Sequence, residues 1–199
     1  MLINLYAIPV FSIPLPTHEL VKKDFSEVIE SDEHFSKHPN WYCNVDTTFG
    51  LPEASKLPFH NFIKGAVTGL NQYLEHLGIN QSVGYGVECW LNRYRKNQHQ
   101  ELHNHAGESV ISCAYMMKLP ENSGNFVFYR NTYDFFHNSK LPGLTDMPFK
   151  YNNRVTPPLK EGDIVFFPSV LEHYVTGNET DSTRATISAN FVVEERKDD

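Results

Sequence analysis

Apolar residues recur along this chain at two different spacings, and the change of spacing divides it. Leu20, Val21, Phe25, Val28 and Ile29 fall on one side of a helical wheel, the pattern of a helix that buries a single stripe. Thr17 follows Pro16 and is placed to cap that helix, with Glu19 favourably set in its first turn. A longer stripe follows: Phe59, Phe62, Ile63, Ala66, Val67, Leu70, Tyr73, Leu74 and Leu77 return every three or four residues, and Gly78 supplies a stop. Both helices are expected to pack on one face of whatever comes after them.

From Gly86 the period drops to two. Val87, Cys89 and Leu91 fall on one face, and Glu88, Trp90, Asn92 and Tyr94 on the other, as a strand requires. Further strands are expected at 101–105, 110–119, 126–129, 164–167, 173–175 and 184–193, separated by clusters of Gly, Pro, Asn and Asp. Helices first and short strands afterwards imply an α+β fold. We therefore expect a single domain over 1–199, with a helical part at about 17–80 and a strand-built sandwich or barrel at about 84–194. Between residues 130 and 158 Asn, Pro and aromatics accumulate without a period, which fits either a lid or an ordered surface loop with its own small apolar cluster.

Composition narrows the class. A chain of 199 residues with 40% hydrophobic content can bury one sizeable core. The formal charge of −7 sets the long-range field against a nucleic-acid backbone or an anionic membrane, and Arg93, Arg95 and Lys96 are the densest basic cluster. No nucleic-acid partner is expected. The apolar opening, residues 1–16, is broken by Pro9, Pro14 and Pro16 and reads as an extended edge segment, not as a signal peptide. No window approaches the roughly 18 apolar residues that cross a bilayer, so no membrane partner is expected either. Cys43, Cys89 and Cys113 are odd in number and far apart, which argues against a disulfide framework and a thiolate zinc site and for a soluble protein in a reducing cytoplasm.

The candidate chemistry lies in the strands. In His103-Asn104-His105 the imidazoles are two residues apart, so on a strand they leave the same face and can converge on one ion. Most such pairs among ten histidines are surface residues, so the motif needs context. His173 supplies some: it follows an apolar strand and a Pro-marked break and enters another strand. Eleven residues on, Arg184, Thr186, Ser188 and Asn190 alternate with Ala185, Ile187, Ala189 and Phe191, so the polar face must look at water or into a polar cavity. An arginine fork near a metal can hold a carboxylate through two parallel hydrogen bonds. Asn92 and Tyr94 share a face with Trp90 and are candidates for the mouth of such a cavity, although such strand faces are also common in ordinary cores.

These spaced motifs resemble the double-stranded β-helix core of the 2-oxoglutarate and Fe(II)-dependent oxygenases. More narrowly, residues 41–50, the HxH and the Phe-Pro-Ser stretch leading to His173 resemble a group of such enzymes found in bacteria and bacteriophages. The resemblance implies a jelly-roll or cupin-like core with the N-terminal helices packed on one face. It implies that Fe(II) is bound by His103 and His173, that Arg184 pairs with the far carboxylate of the co-substrate 2-oxoglutarate, and that Thr186 assists it. A tyrosine at the end of the 110–119 strand often helps hold that carboxylate, which points to Tyr115, with Met116 in the expected place. His105 stands where the family usually has a carboxylate, which leaves the metal with its full charge and makes zinc or another divalent ion a competitor. Glu101 and Glu108 are the alternatives for a third ligand.

The resemblance further implies a hydroxylase that consumes dioxygen and oxidises an unknown prime substrate, a small molecule or a protein side chain, in the host cytoplasm if the chain is phage-encoded. Two rivals remain at this point: a cupin-like three-histidine metalloenzyme that does not use 2-oxoglutarate, and a non-catalytic β-barrel binding or virion module. Arg184 separates the first and metal content the second.

Overall fold

The computed structural model describes residues 8–79, 83–107, 109–130 and 153–195. The segment 131–152, most of the stretch read above as lid or loop, lies outside them, as does Glu108.

The helical pattern produces α1 (His18–Phe25) and α2 (His60–His76). α2 ends as its sequence requires: Gly78 adopts φ +78°, Ile79 N–H bonds the Leu74 carbonyl (2.9 Å) and Gly78 N–H bonds that of Glu75 (2.9 Å), a Schellman closure. α1 departs from expectation in two ways. It stops at Phe25, leaving Ile29 to be buried from the turn that follows and Leu20 52% exposed. Thr17 sits at the N-cap but makes no capping bond, because its hydroxyl is drawn instead to the Asn61 carbonyl on α2 (2.8 Å).

The strands are β1 (Phe11–Pro14), β2 (Asp46–Thr47), β3 (Val83–Tyr94), β4 (Gln100–His103), β5 (Ile111–Lys118), β6 (Phe126–Tyr129), β7 (Arg154–Val155), β8 (Asp163–Pro168), β9 (His173–Val175) and β10 (Arg184–Glu195). They form two antiparallel sheets, one of order β1-β8-β5-β10-β3-β2 and one of order β4-β9-β6-β7. The inner four strands of the larger sheet face the four of the smaller one, the jelly-roll arrangement of a double-stranded β-helix.

Alternation along the central strands decides what lies on each side of the larger sheet. Cys113, Tyr115, Ile164, Phe166, Ile187 and Phe191 point outward and meet Phe25, Phe62, Leu70 and Tyr73 of the helices. Here α2 lies so close that a Cβ on Gly69 would come within 2.6 Å of the Phe166 ring. Ala114, Met116, Val165 and Phe167 point inward and meet Phe126, Phe128 and Val175 of the smaller sheet. β5 is buried on both faces, so from Cys113 to Met117 its sequence reads as an unbroken run without a charged residue.

The basic cluster is neutralised. Arg93, 2% exposed, bonds the carbonyls of Ile29 and Ser31 (both 3.1 Å) and pairs with Asp32 (2.7 Å) and Asp46 (3.3 Å). Arg95 pairs with Asp32, and Lys96 with Asp181 (3.0 Å). No described helix is long and apolar enough to cross a membrane.

Candidate metal centre

His103 and His173 meet because their strands do: β4 and β9 pair with His103 opposite His173 and Gln100 opposite Val175. Three steps along β4 therefore match two along β9, which is a β-bulge with one extra residue in β4. In a regular strand Gln100 and Glu101 would face opposite ways. The bulge lets both line one cavity together with His103.

The strand expected over 101–105 ends at His103, so strand alternation does not aim His105. A turn does. Asn104 Oδ1 accepts the Ala106 N–H (3.1 Å), and the His105 N–H donates to the Ser169 carbonyl (2.8 Å), tying the turn to the chain just after β8. One ring nitrogen from each of His103, His105 and His173 then lies within 4.8 Å of the other two. The ring centroids are 5.1 Å (His103–His105), 4.3 Å (His103–His173) and 5.3 Å (His105–His173) apart.

The local chemistry prepares these nitrogens as donors. His103 Nδ1 lies 2.8 Å from the Glu101 carbonyl and His173 Nδ1 2.9 Å from that of Leu171. A carbonyl only accepts, so each Nδ1 carries the hydrogen and each Nε2 keeps its lone pair. Burial disfavours the protonated rings: it lowers His103, takes His173 well below its ordinary value, and with the neighbouring His103 brings His105 to about 4. Phe126 and Phe167 pack on the His173 ring, which is 5% exposed, and hold it in place. Glu101 is outside the ligand group; its Oε2 accepts the Tyr42 N–H (2.8 Å). The three neutral imidazoles can hold a divalent cation without reducing its charge.

The cavity beside them has a volume of about 200 Å³. Trp41, Phe49 and Trp90 make one wall, Phe126, Phe167 and Val175 another, and Asn92, Tyr94, Thr186 and Ser188 give it a polar floor. The polar face of β10 thus looks into the molecule: Arg184 is 0%, Thr186 3% and Asn190 4% exposed. Asn92 Nδ2 reaches Ser188 Oγ (3.4 Å), and Thr47 donates to Asn92 Oδ1 (2.7 Å).

Arg184 is the anomaly. It pairs in register with Tyr94, and its guanidinium carbon sits 5.6 Å from the centre of that ring. Its Nη1 donates to the Gly124 carbonyl and its Nη2 to Met116 Sδ (3.5 Å), while Nε has no partner among the described residues. Burial pushes the guanidinium down, and among the described residues no carboxylate offsets it. Tyr94 is pushed up to about 12 by burial, against the neighbouring Arg184 and Thr186, which lower it. A buried cation with an unfilled donor is costly unless an anion completes it.

Tyr115, expected beside the co-substrate, is not in the cavity. Strand alternation puts it on the helix side, its hydroxyl 2.6 Å from His18 Nδ1 and its ring 5.9 Å from that of Phe62. The one-residue offset brings Met116 inward instead. Tyr94 on β3, whose ring lies beside Arg184, is a tyrosine that does line the cavity. Its sequence signal was the shared face with Trp90 and Asn92, which could not by itself say that Arg184 lay opposite.

Comparison with known proteins follows the same lines. The model of a 2OG-Fe(II) oxygenase family matches residues 88–190, which include all three histidines and Arg184. No curated protein matches the chain. Among solved structures, a prolyl-4-hydroxylase of Pseudomonas putida superposes with a TM-score of 0.62 at 12% identity, covering 96% of this chain and 94% of that one. A prolyl hydroxylase from Trichoplax adhaerens, in complex with a hypoxia inducible factor peptide fragment, gives 0.62 at 13% identity, with 92% and 83% covered. The epimerase SnoN from nogalamycin biosynthesis, solved with Fe3+, alpha ketoglutarate and nogalamycin RO, gives 0.61 at 15% identity, with 96% and 82% covered. At such identities the likeness is one of fold.

Proposed function

Because the chain belongs to the 2OG-Fe(II) oxygenase family, we propose that His103, His105 and His173 hold its iron, that Arg184 holds the far carboxylate of 2-oxoglutarate with Tyr94 and Thr186 beside it, and that the reaction is a hydroxylation. The observation that carries the co-substrate assignment is the buried Arg184, with Nε unpartnered and no carboxylate offsetting it among the described residues. The donor set fits the metal as well: three imidazoles that burial keeps neutral, two of them with Nδ1 fixed by a backbone carbonyl.

When bound, iron and 2-oxoglutarate with dioxygen supply the oxidising chemistry for a C–H bond. The rest falls to the chain. The imidazoles fix the coordination directions, because two are hydrogen-bonded and the third hangs on a tethered turn. Arg184 lies behind the polar floor, in register with Tyr94 and two residues from Thr186, where low polarity strengthens each bond its donors make. The Tyr94 hydroxyl, kept protonated by its burial, can donate alongside. Trp41, Phe49 and Trp90 keep water from the open side and leave an apolar surface for the substrate.

His105 in place of a carboxylate leaves one more positive charge at the metal than a two-histidine, one-carboxylate site carries. Its effect on metal choice is measurable: titration of the metal-free protein with Fe(II) and Zn(II), for wild type and His105→Asp, should show the substitution tightening both ions. Free cysteines Cys43, Cys89 and Cys113 support a reducing, cytoplasmic setting. The proposal is tested by succinate formation: wild type with Fe(II) should convert 2-oxoglutarate slowly even without substrate, and Arg184→Met should form almost none at the 2-oxoglutarate concentration that half-saturates wild type. No succinate from iron-loaded wild type would favour a three-histidine enzyme that does not use 2-oxoglutarate, and equal, non-zero rates for the two proteins would show that Arg184 does not hold it.

A further inference from the structure

The cavity wall opposite the smaller sheet is a row of stacked rings. Phe49 lies 5.5 Å from Trp41, nearly parallel at 19°, and 5.0 Å from Trp90 edge-on; Trp90 in turn lies 5.7 Å from His105. His38 closes the outer end, 4.7 Å from Trp41. The segment that carries Trp41 and Phe49 is anchored along its length. Asp46 pairs with Arg93 (3.3 Å) and Lys37 (2.5 Å), Thr47 bonds Asn92 (2.7 Å), and Thr48 Oγ1 accepts the Leu91 N–H (3.0 Å). The wall is therefore preformed rather than assembled by a ligand.

One carboxylate lines the same cavity as this wall. Glu101 lines the cavity because of the bulge in β4, and it is the only acidic side chain among the lining residues. The Tyr42 N–H, on the residue that follows Trp41 in the chain, holds its Oε2 (2.8 Å), and among the described residues Oε1 takes no hydrogen bond. Among the described residues Glu101 makes no ion pair, unlike Asp32 and Asp46 nearby. An acid held in the same cavity as three aromatic side chains is complementary to an organic cation, which gains from the ring quadrupoles and from the charge together.

We propose that Glu101 and the wall of Trp41, Phe49 and Trp90 select a prime substrate that carries a protonated amine next to an apolar group. This rests on the reading of the cavity as an oxygenase site and supplies the substrate class that reading leaves open. In that arrangement the apolar part lies along the rings toward the three histidines, and the ammonium donates to the free oxygen of Glu101. Glu101 acts on binding and takes no part in the oxidation.

The two tryptophans of the chain are Trp41 and Trp90. Both line the cavity, so tryptophan fluorescence of the metal-free protein reads its occupancy directly. Benzylamine, cationic at neutral pH, and benzyl alcohol, its neutral counterpart, are the probes; neither is drawn to Arg184. Wild type should bind benzylamine about tenfold more tightly than benzyl alcohol, a ratio typical of a paired cation on aromatic faces. Glu101→Gln should bring the ratio to about one while retaining benzyl alcohol binding, which also shows that the variant is folded. Phe49→Ala should weaken both probes alike. A ratio near one in wild type, or an unchanged ratio in Glu101→Gln, would overturn the proposal. The visible band of the Fe(II) and 2-oxoglutarate complex is measured separately. Its absence would sink the oxygenase reading and leave the amine preference standing, and the reverse result would do the opposite.

Discussion

The two faces of β10 are both buried and differ in what they bury. Ala185, Ile187, Ala189 and Phe191 lie against the helices, each 0% exposed and surrounded by apolar side chains. Arg184, Thr186 and Asn190 are buried on the other side, yet among the described residues Arg184 lacks a partner for Nε and Asn190 for its amide nitrogen. The apolar face makes the fold, and the polar face is an expense the fold carries. A strand that costs stability on one face and supplies it on the other separates structural from functional substitutions residue by residue.

The comparison is broken first at the histidines. His173→Ala should abolish stable metal binding, read as metal content after desalting, because two imidazoles remain and a buried ligand is gone. Retention of a full equivalent of metal would mean that other residues complete the site. Next, Arg184→Met should lower 2-oxoglutarate affinity by roughly a hundredfold or more while leaving metal content unchanged, since a charge-assisted fork to a carboxylate is worth several kcal/mol where water is excluded. It should also leave the melting temperature the same or higher, because it removes an uncompensated buried charge. On the opposite face Ile187→Ala should do the reverse, costing about 2–5 kcal/mol by chemical denaturation with 2-oxoglutarate affinity intact. If Arg184→Met proved the more destabilising of the two, Arg184 would be a structural residue.

A smaller effect belongs to Tyr94→Phe, which removes one hydroxyl beside Arg184 and should weaken 2-oxoglutarate by about tenfold, in keeping with a single hydrogen bond to a charged group. The smallest is a pH dependence of the metal-free protein. Each of the three histidines has its folded-state value lowered below 6.5, to about 4 for His105. Between those limits the unfolded chain binds more protons than the folded one, so stability should rise as pH increases from about 4 to about 6.5 and gain nothing further from these groups above that. Denaturation midpoints of the metal-free protein across that window check the sign, and the triple substitution to Asn should flatten the slope.

Much of this was legible in the sequence, and what was not has physical causes. Strand alternation located both faces of β3 and β10, because burial on one side and chemistry on the other imposed a period of two. The stop at Gly78 was legible because the left-handed backbone there suits glycine. Two-residue strands such as β2 and β7 carry no period of their own and exist through their neighbours. The bulge in β4 is equally silent in sequence, since one extra residue appears only when the partner strand is known, and it decides that Gln100 and Glu101 share a cavity. Tyr115 and Met116 show the finest limit: a shift of one position exchanges core for site. Thr17 shows a local preference overridden, its hydroxyl taken by the neighbouring helix.

The most direct test of the account joins its two halves, metal and co-substrate, in one spectrum. Fe(II) and 2-oxoglutarate are added to the protein without oxygen, and the visible charge-transfer band of their complex is recorded. The expected result is a band in wild type that saturates at a stoichiometric amount of 2-oxoglutarate and is absent at the same concentrations from Arg184→Met still loaded with iron. Absence of the band from iron-saturated wild type, or an unaltered band in Arg184→Met, would contradict it.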